Sequence, residues 1–220
     1  MNDGDRQASE IDHGKTGRPP LQRRAKITRE AILEVSATLF SRTGYAGTSI
    51  NDILAVSHTT KGAMYFHFSK KESIAAEMLR RWTAVASETI GKAEASGQTA
   101  DRQIQMIYRE LARRTENEAI TRAGLLLSAD QNPTGARATY EAWTEALTSI
   151  VVRAIRSDVL DRTESTSRLA DTLCACFVGT VKVAASLDQS HTITKRIDDV
   201  LLLWCGTDPV AARMIEGASV

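Results

Sequence analysis

Residues 59–68 read Thr59-Thr60-Lys61-Gly62-Ala63-Met64-Tyr65-Phe66-His67-Phe68, a run with the makings of a short helix that lies against a large polyanion. Thr60, Gly62 and Ala63 are small, so a helix carrying them can come close to base edges. Lys61, Tyr65 and His67 are phosphate donors, and contacts of that kind set register without reading sequence. Met64 and Phe68 are spaced one turn apart and form the apolar side that anchors the helix on its neighbour.

Upstream, Ile27, Ala31, Ile32, Val35, Leu39 and Phe40 recur at helical spacing and stop at Gly44, a natural C′ residue. Thr48 or Ser49 then caps a short second helix carrying Ile50, Ile53 and Leu54, and a turn follows at Val56-Ser57-His58. Three short helices within about 45 residues, the last two joined by a tight turn, have helix-turn-helix geometry, with the third as the major-groove helix. Thr48 stands where the unpaired N–H groups and dipole of the second helix attract a phosphate. Ser49, Thr59 and Lys70 flank the same surface and complete its expected set of DNA contacts. Downstream, Ser69-Lys70-Lys71-Glu72 has the spacing of a capping box. A long fourth helix follows, with Ala75, Met78, Leu79, Trp82, Val85 and Ile90 on one stripe.

Charge is distributed to match. The chain carries +1 overall, yet from Lys15 to Lys71 ten basic side chains face three acids, giving +7 and leaving −6 for the rest. Such asymmetry fits one polyanion-facing end, or a merely solvated basic segment. Residues 1–24 are polar, with Gly14, Gly17, Pro19 and Pro20 and no periodicity, and read as a tail. Arg18, Arg23, Arg24 and Lys26 in and beside it have the chemistry of a minor-groove arm. An unstructured solubilising tail is the other reading of the same residues.

The remainder continues at helical period, over about 100–115, 119–130, 136–159, 165–187 and 194–205. Breaks fall at Gly97, at Asn132-Pro133 with Gly135, at Asp161 and at Asp188. Nowhere does a period of two prevail, so the expected class is all-α: tail 1–24, DNA-binding domain 25–75 and a helical body 76–220. No run approaches the length of uncharged apolar sequence that spans a membrane, and the N-terminus lacks an apolar signal core. Three cysteines make no disulfide framework, which predicts a cytoplasmic, nucleoid-associated protein. The histidines are scattered, no nucleophile–base or metal constellation appears, and no phosphate-binding glycine loop follows a strand. Neither enzyme activity, cofactor nor metal is expected. Cys174 and Cys176 point to different faces and read as buried small hydrophobes.

At these residues the chain resembles the TetR (tetracycline-repressor) family. The shared pattern is Ala31-Ile32-Leu33, Leu39-Phe40, Gly44-Tyr45, Thr48-Ser49-Ile50 with Ile53, Lys61 to Phe68, and Lys71-Glu72. Tyr65 to Phe68, Arg122-Ala123-Gly124-Leu125, Trp143 and Val178-Gly179-Thr180 are similar to one subgroup, the Streptomyces γ-butyrolactone receptors, which are autoregulator-sensing repressors of antibiotic biosynthesis. One departure stands at the turn. The family places Gly and then a small aliphatic residue where this chain has His58 and Thr59, and His in the left-handed region costs roughly 1 kcal/mol.

The resemblance implies that the fourth helix joins the head to a ligand-binding core and that the last two long helices pair with a second subunit. The residues agree. Helix 165–187 has one apolar stripe through Leu169, Leu173, Cys176, Phe177, Thr180, Ala184 and Leu187, and another through Ala170, Cys174, Val178, Val181 and Ala185. Helix 194–205 shows Ile193, Ile197, Val200, Leu201 and Trp204 on one face. A homodimer would also present two recognition helices to a palindromic double-stranded DNA operator. The small-molecule pocket is expected between the fourth helix and the middle helices. Trp82 and Trp143 would form its walls, Leu126, Leu127, Phe177 and Val178 its acyl end, and Gln131, Tyr140, Thr144 and Thr180 its polar contacts. Ordinary core packing is the alternative for each. Lys182 interrupts an apolar run, as partner of an acidic ligand or as a rim side chain. The expected function is a repressor released by a butyrolactone, butenolide or furan-type signal. Its rivals are a drug- or metabolite-responsive repressor of an efflux gene and a redox sensor using Cys174, Cys176 or Cys205.

Overall fold

The structure is a computed structural model describing residues 21–156 and 168–205, the last three by backbone alone. Every regular element among the described residues is helical: α1 (Leu21–Thr43), α2 (Ile50–Ser57), α3 (Lys61–His67), α4 (Lys71–Glu94), α5 (Ala100–Asn117), α6 (Ala119–Ser128), α7 (Ala136–Arg156), α8 (Leu169–Ser186) and α9 (Ile193–Cys205). A 3-10 turn, Ser190–Thr192, joins the last two. The all-α expectation holds.

Local chemistry sets the boundaries. α1 ends where Gly44 turns to φ 79° and donates its N–H to the Phe40 carbonyl at 3.0 Å. The start of α1 corrects the expected tail: the helix begins at Leu21, so Arg23, Arg24 and Lys26 are helical and belong to no extended arm. Arg18 lies outside the described residues. α2 closes a full capping box, with the Ser49 hydroxyl accepting from the Asp52 N–H at 3.2 Å and the Asp52 carboxylate accepting from the Ser49 N–H at 2.7 Å. The box expected over Ser69–Glu72 does not form. α4 starts one residue later, and Ser73 accepts the Lys70 N–H at 3.3 Å and donates back to the Lys70 carbonyl at 2.6 Å.

Two apolar clusters share α4. The first joins Ile32, Leu33, Phe40, Ile53, Met64, Phe68, Ile74 and Met78 with Ile120, Ala123 and Leu127 of α6. The second joins Trp82, Ile90, Ile107, Tyr108, Leu111, Trp143, Ile150, Phe177, Val181 and Ile197. α6 is therefore a wedge beneath the head, and α1 turns Ile32, Leu33, Ser36, Ala37 and Phe40 inward against it. Ile27 and Ala31, expected on that stripe, are exposed, because α6 and the α2–α3 pair together decide which side of α1 is covered. Where α4 and α6 cross, Gly124 lets the backbones touch. A Cβ there would lie 2.5 Å from the Met78 carbonyl oxygen and 2.7 Å from Trp82 Cβ.

α8 is long and apolar enough to cross a membrane by length and composition alone. Its inner face, however, packs in the core, with Cys174, Phe177, Val181 and Ala184 wholly buried. That face draws on both stripes read from the sequence, while Cys176, Val183 and Leu187 remain exposed. Cys176 is thus no buried hydrophobe.

Candidate DNA interface and effector cavities

The turn between α2 and α3 is made by His58 at φ 52°, ψ 26°, the left-handed conformation that its position demands. Thr59 donates to the Ser57 carbonyl at 3.2 Å, and Thr60 caps α3 by accepting the Ala63 N–H at 3.2 Å. Met64 and Phe68 are buried and fix α3 on the head core. Thr60, Lys61, Gly62, Tyr65 and Phe66 are exposed on the other side, with Ala63 and His67 at its edge. Phe66, at 79% exposure, packs edge-on against His67 at 5.0 Å and was missed in the sequence. The signal was available: four residues beyond Gly62, Phe66 shares the outward face and opposes Met64.

Thr48 corrects a second expectation. It is buried, its hydroxyl donating to the Gly44 carbonyl at 2.9 Å and paired with the Thr43 hydroxyl at 2.8 Å, so that side chain faces no phosphate. Ser49 is exposed at the start of α2, but its neighbour Asp52 holds a carboxylate there, kept low by the Ser49 hydroxyl and N–H. Lys70 is exposed. Lys71 points inward instead. Its ammonium donates to the carbonyls of Tyr45 at 2.8 Å and Thr48 at 2.9 Å, and lies 4.2 Å from the Tyr45 ring centroid. It ties the start of α4 to the α1–α2 turn.

A second tie joins α4 to α1. Arg81 grips Glu30 with two hydrogen bonds, of 2.8 and 2.6 Å, and donates to Glu77 at 2.9 Å. Arg29 stands 3.4 Å from Glu77 and over the Phe68 ring at 5.0 Å. Hydrogen bonds from Arg80 first, then Arg81 and Arg29, hold the Glu77 carboxyl down at about 2. Movement of α4 is thus transmitted to the head at two points.

Behind the head, Trp82 and Trp143 meet edge to face at 5.5 Å, and Trp143 touches Tyr140 and Phe177, both at 5.9 Å. Both indoles are buried, and neither Nε1–H has a hydrogen-bond partner among the described residues. They wall a cleft of about 230 Å³ between α4 and α7, completed by Ala86, Ile90 and Ala146. On the other side of Tyr140 lies a half-open groove of about 1040 Å³, bounded by the α6–α7 connection, α7 and α8. A space of about 390 Å³ shares Gln131, Val178 and Lys182 with it and runs under Phe40 and Tyr45, past Leu126 and Leu127.

The residues expected in one pocket are therefore divided. Trp82 and Trp143 face the cleft, Gln131, Tyr140 and Val178 the groove, and Leu126 and Leu127 the space under the head. Phe177, Thr144 and Thr180 line none of the three. Phe177 is core, and the Thr144 hydroxyl is buried without a hydrogen-bond partner among the described residues. Sequence spacing puts residues on a helix, but which side of Trp143 each cavity occupies depends on how α7 packs.

Residues 32–78, the head just described, match the family model for bacterial regulatory proteins of the tetR family. By that match the head is similar to the tetR family of bacterial regulators. Among tetR-type relatives, the A-factor receptor protein of Streptomyces griseus is 40% identical over 63 residues, 29% of this chain. That match spans only 23% of the receptor's length. A crystal structure of a gamma-butyrolactone receptor (ArpA-like protein) is 26% identical, with TM-score 0.65, covering 81% of this chain and 99% of its own. CprB from Streptomyces coelicolor, solved in complex with its biological operator sequence, is 26% identical with TM-score 0.70, covering 89% and 97%. The fold likeness accordingly reaches well beyond the head.

Proposed function

We propose that this chain is a homodimeric, ligand-responsive tetR-type transcriptional repressor of the cytoplasm that binds a palindromic operator and is released by a small γ-butyrolactone-like autoregulator. One observation carries the ligand half: two buried indole N–H groups without partners among the described residues, beside a cleft between α4 and α7. An unpaired buried donor costs roughly 1–3 kcal/mol, which a carbonyl or ether oxygen placed in the cleft would recover. The cleft is walled by α4, and α4 is tied to the head through Lys71 and Arg81, so filling it bears on the angle of α3. The relatives described as an A-factor receptor and a gamma-butyrolactone receptor support the same ligand class.

The DNA half rests on the α3 face of Thr60, Lys61, Gly62, Tyr65 and Phe66 with His67 at its edge, and Ser49, Lys70 and the helical Arg23, Arg24 and Lys26 are further candidate contacts. The similar CprB, solved in complex with its biological operator sequence, supports DNA binding. The dimer rests on an apolar outer stripe of α8, Cys176, Gly179, Val183 and Leu187, continued by Leu202 of α9. Inverting an operator equilibrium from mostly bound to mostly released needs roughly 4–6 kcal/mol of differential ligand affinity per dimer.

The thiol-sensor alternative finds no support at Cys174, whose burial pushes its thiol up to about 11, away from the reactive thiolate. The test is a gel shift on the DNA upstream of the chain's own gene, titrated with γ-butyrolactones. Wild type should release the DNA, while a folded, operator-binding Trp143→Ala variant should stay bound at concentrations at least tenfold higher. Normal release by that variant would falsify the cleft assignment.

A further inference from the structure

The large groove holds a charge that the reading above leaves unused. Lys182, exposed on α8, lines both the groove and the narrower space under the head. No carboxylate pairs with it among the described residues. Its ammonium instead reaches across to α1 and donates to the Ser41 carbonyl at 3.5 Å. Ser41 is in the last turn of α1, where a helix leaves carbonyls unpaired and carries the negative end of its dipole. The bond is long, and among the described residues it is the one hydrogen bond of Lys182 to the head. The other charges on the groove are already engaged. Arg137 pairs with Glu141 at 2.7 Å, and Asp130 accepts from the backbone and side-chain amides of Asn132 at 2.9 and 2.8 Å. Apolar wall is supplied by Pro133, Ala138, Ala175 and Val178, and Tyr140 brings a hydroxyl.

We propose that this groove is a second binding site, for a small amphipathic carboxylate, with Lys182 as its counter-charge. The carboxylate exchanges a long hydrogen bond to a neutral carbonyl for a charge-assisted pair, and so withdraws Lys182 from the end of α1. The acyl portion lies along Val178 and Ala175. Because Lys182 stands on α8 and Ser41 on α1, one bound acid would loosen the head without touching the tryptophan cleft. Binding in the groove is independent of the repressor reading, and only its consequence for DNA rests on that reading.

Nonanoate and γ-nonalactone, matched in carbon number and differing in charge, separate the two sites in calorimetric titrations of the full chain without DNA. Wild type should bind nonanoate about tenfold tighter than the lactone, the size expected of one charge-assisted contact. Lys182→Met, which keeps the stem, should lose that preference and leave lactone binding unchanged, while Trp143→Ala should leave nonanoate binding unchanged. Hydrogen exchange at residues 40–44 should quicken on adding nonanoate to wild type, and should already be fast and insensitive to nonanoate in Lys182→Met. Nonanoate that fails to bind, or binds Lys182→Met as well as wild type, overturns the site. Binding with unchanged exchange at 40–44 overturns the withdrawal of Lys182. Neither result touches the operator assay, which would fail independently if the repressor reading were wrong.

Discussion

Lys71 and His58 show how much of the head depends on single side chains that touch no ligand. The Lys71 ammonium, spent on two carbonyls and the Tyr45 ring, pins the α1–α2 turn to the start of α4. Lys71→Met keeps the bulk and leaves both carbonyls short of their donor. It should cost roughly 1–3 kcal/mol in urea unfolding, since hydrogen bonds to charged groups are among the stronger ones. A loss below about 0.5 kcal/mol would show that water replaces the ammonium at no cost. His58 is the reverse case. At φ 52° its Cβ is strained, so His58→Gly should raise stability by roughly 0.5–1 kcal/mol in the same measurement. A fall would mean that the imidazole makes a compensating contact.

Among elements, α4 and α6 cross in close contact, and Gly124 is its condition. With Met78 O and Trp82 Cβ inside 3 Å of any added Cβ, Gly124→Ala has to push the helices apart. Backbone on one side of the contact gives little, so the expected penalty is about 1–3 kcal/mol. Because Trp82 lies on the same turn of α4, a melting curve should show the loss and tryptophan fluorescence should shift with it. An unchanged melting temperature would show that α4 moves freely at this level, contrary to its role as a stiff lever. The resemblance that singled out Arg122 to Leu125 has a physical basis here. Arg122 caps the end of α5 through the carbonyls of Thr115 and Glu116, and Gly124 admits α4.

For the whole molecule, the ionic clamp of Arg29, Glu30, Glu77 and Arg81 makes the junction of head and body sensitive to acid. The Glu77 carboxyl is lowered from 4.5 to about 2, chiefly by Arg80 and then by Arg81 and Arg29. A depressed acid stabilises the folded state fully above its unfolded value and loses that contribution as pH falls through the folded one. The loss should therefore fall between pH 4.5 and about 2. Glu77→Gln should flatten that limb of the stability curve. An identical acid limb in the variant would remove Glu77 from the clamp.

Much of this was legible in the chain. The cap of α2 at Ser49, the turn at His58 and the inward Met64 and Phe68 follow from local rules, because caps, left-handed turns and helical spacing involve residues within four of each other, although the box read at Ser69–Glu72 gave way to a cap at Lys70. The charge asymmetry and the small residues of Thr60 to Ala63 pointed to the helix proposed to face DNA in the same way. Other features depended on contacts from distant parts of the chain: α6 wedged under the head, Lys71 turned inward, Thr48 buried, and seven of the ten pocket candidates divided across three spaces while three line none of them. Lys71 reads as one more basic residue until Tyr45 and Thr48 are found beside it, 26 and 23 positions away. The sequence by itself determined an all-helical chain with a helix-turn-helix head, since both are written in short-range periodicity and capping. Only the tertiary structure decided where the cavities open and which charges are free to meet a ligand, since that depends on how helices distant in sequence pack against one another.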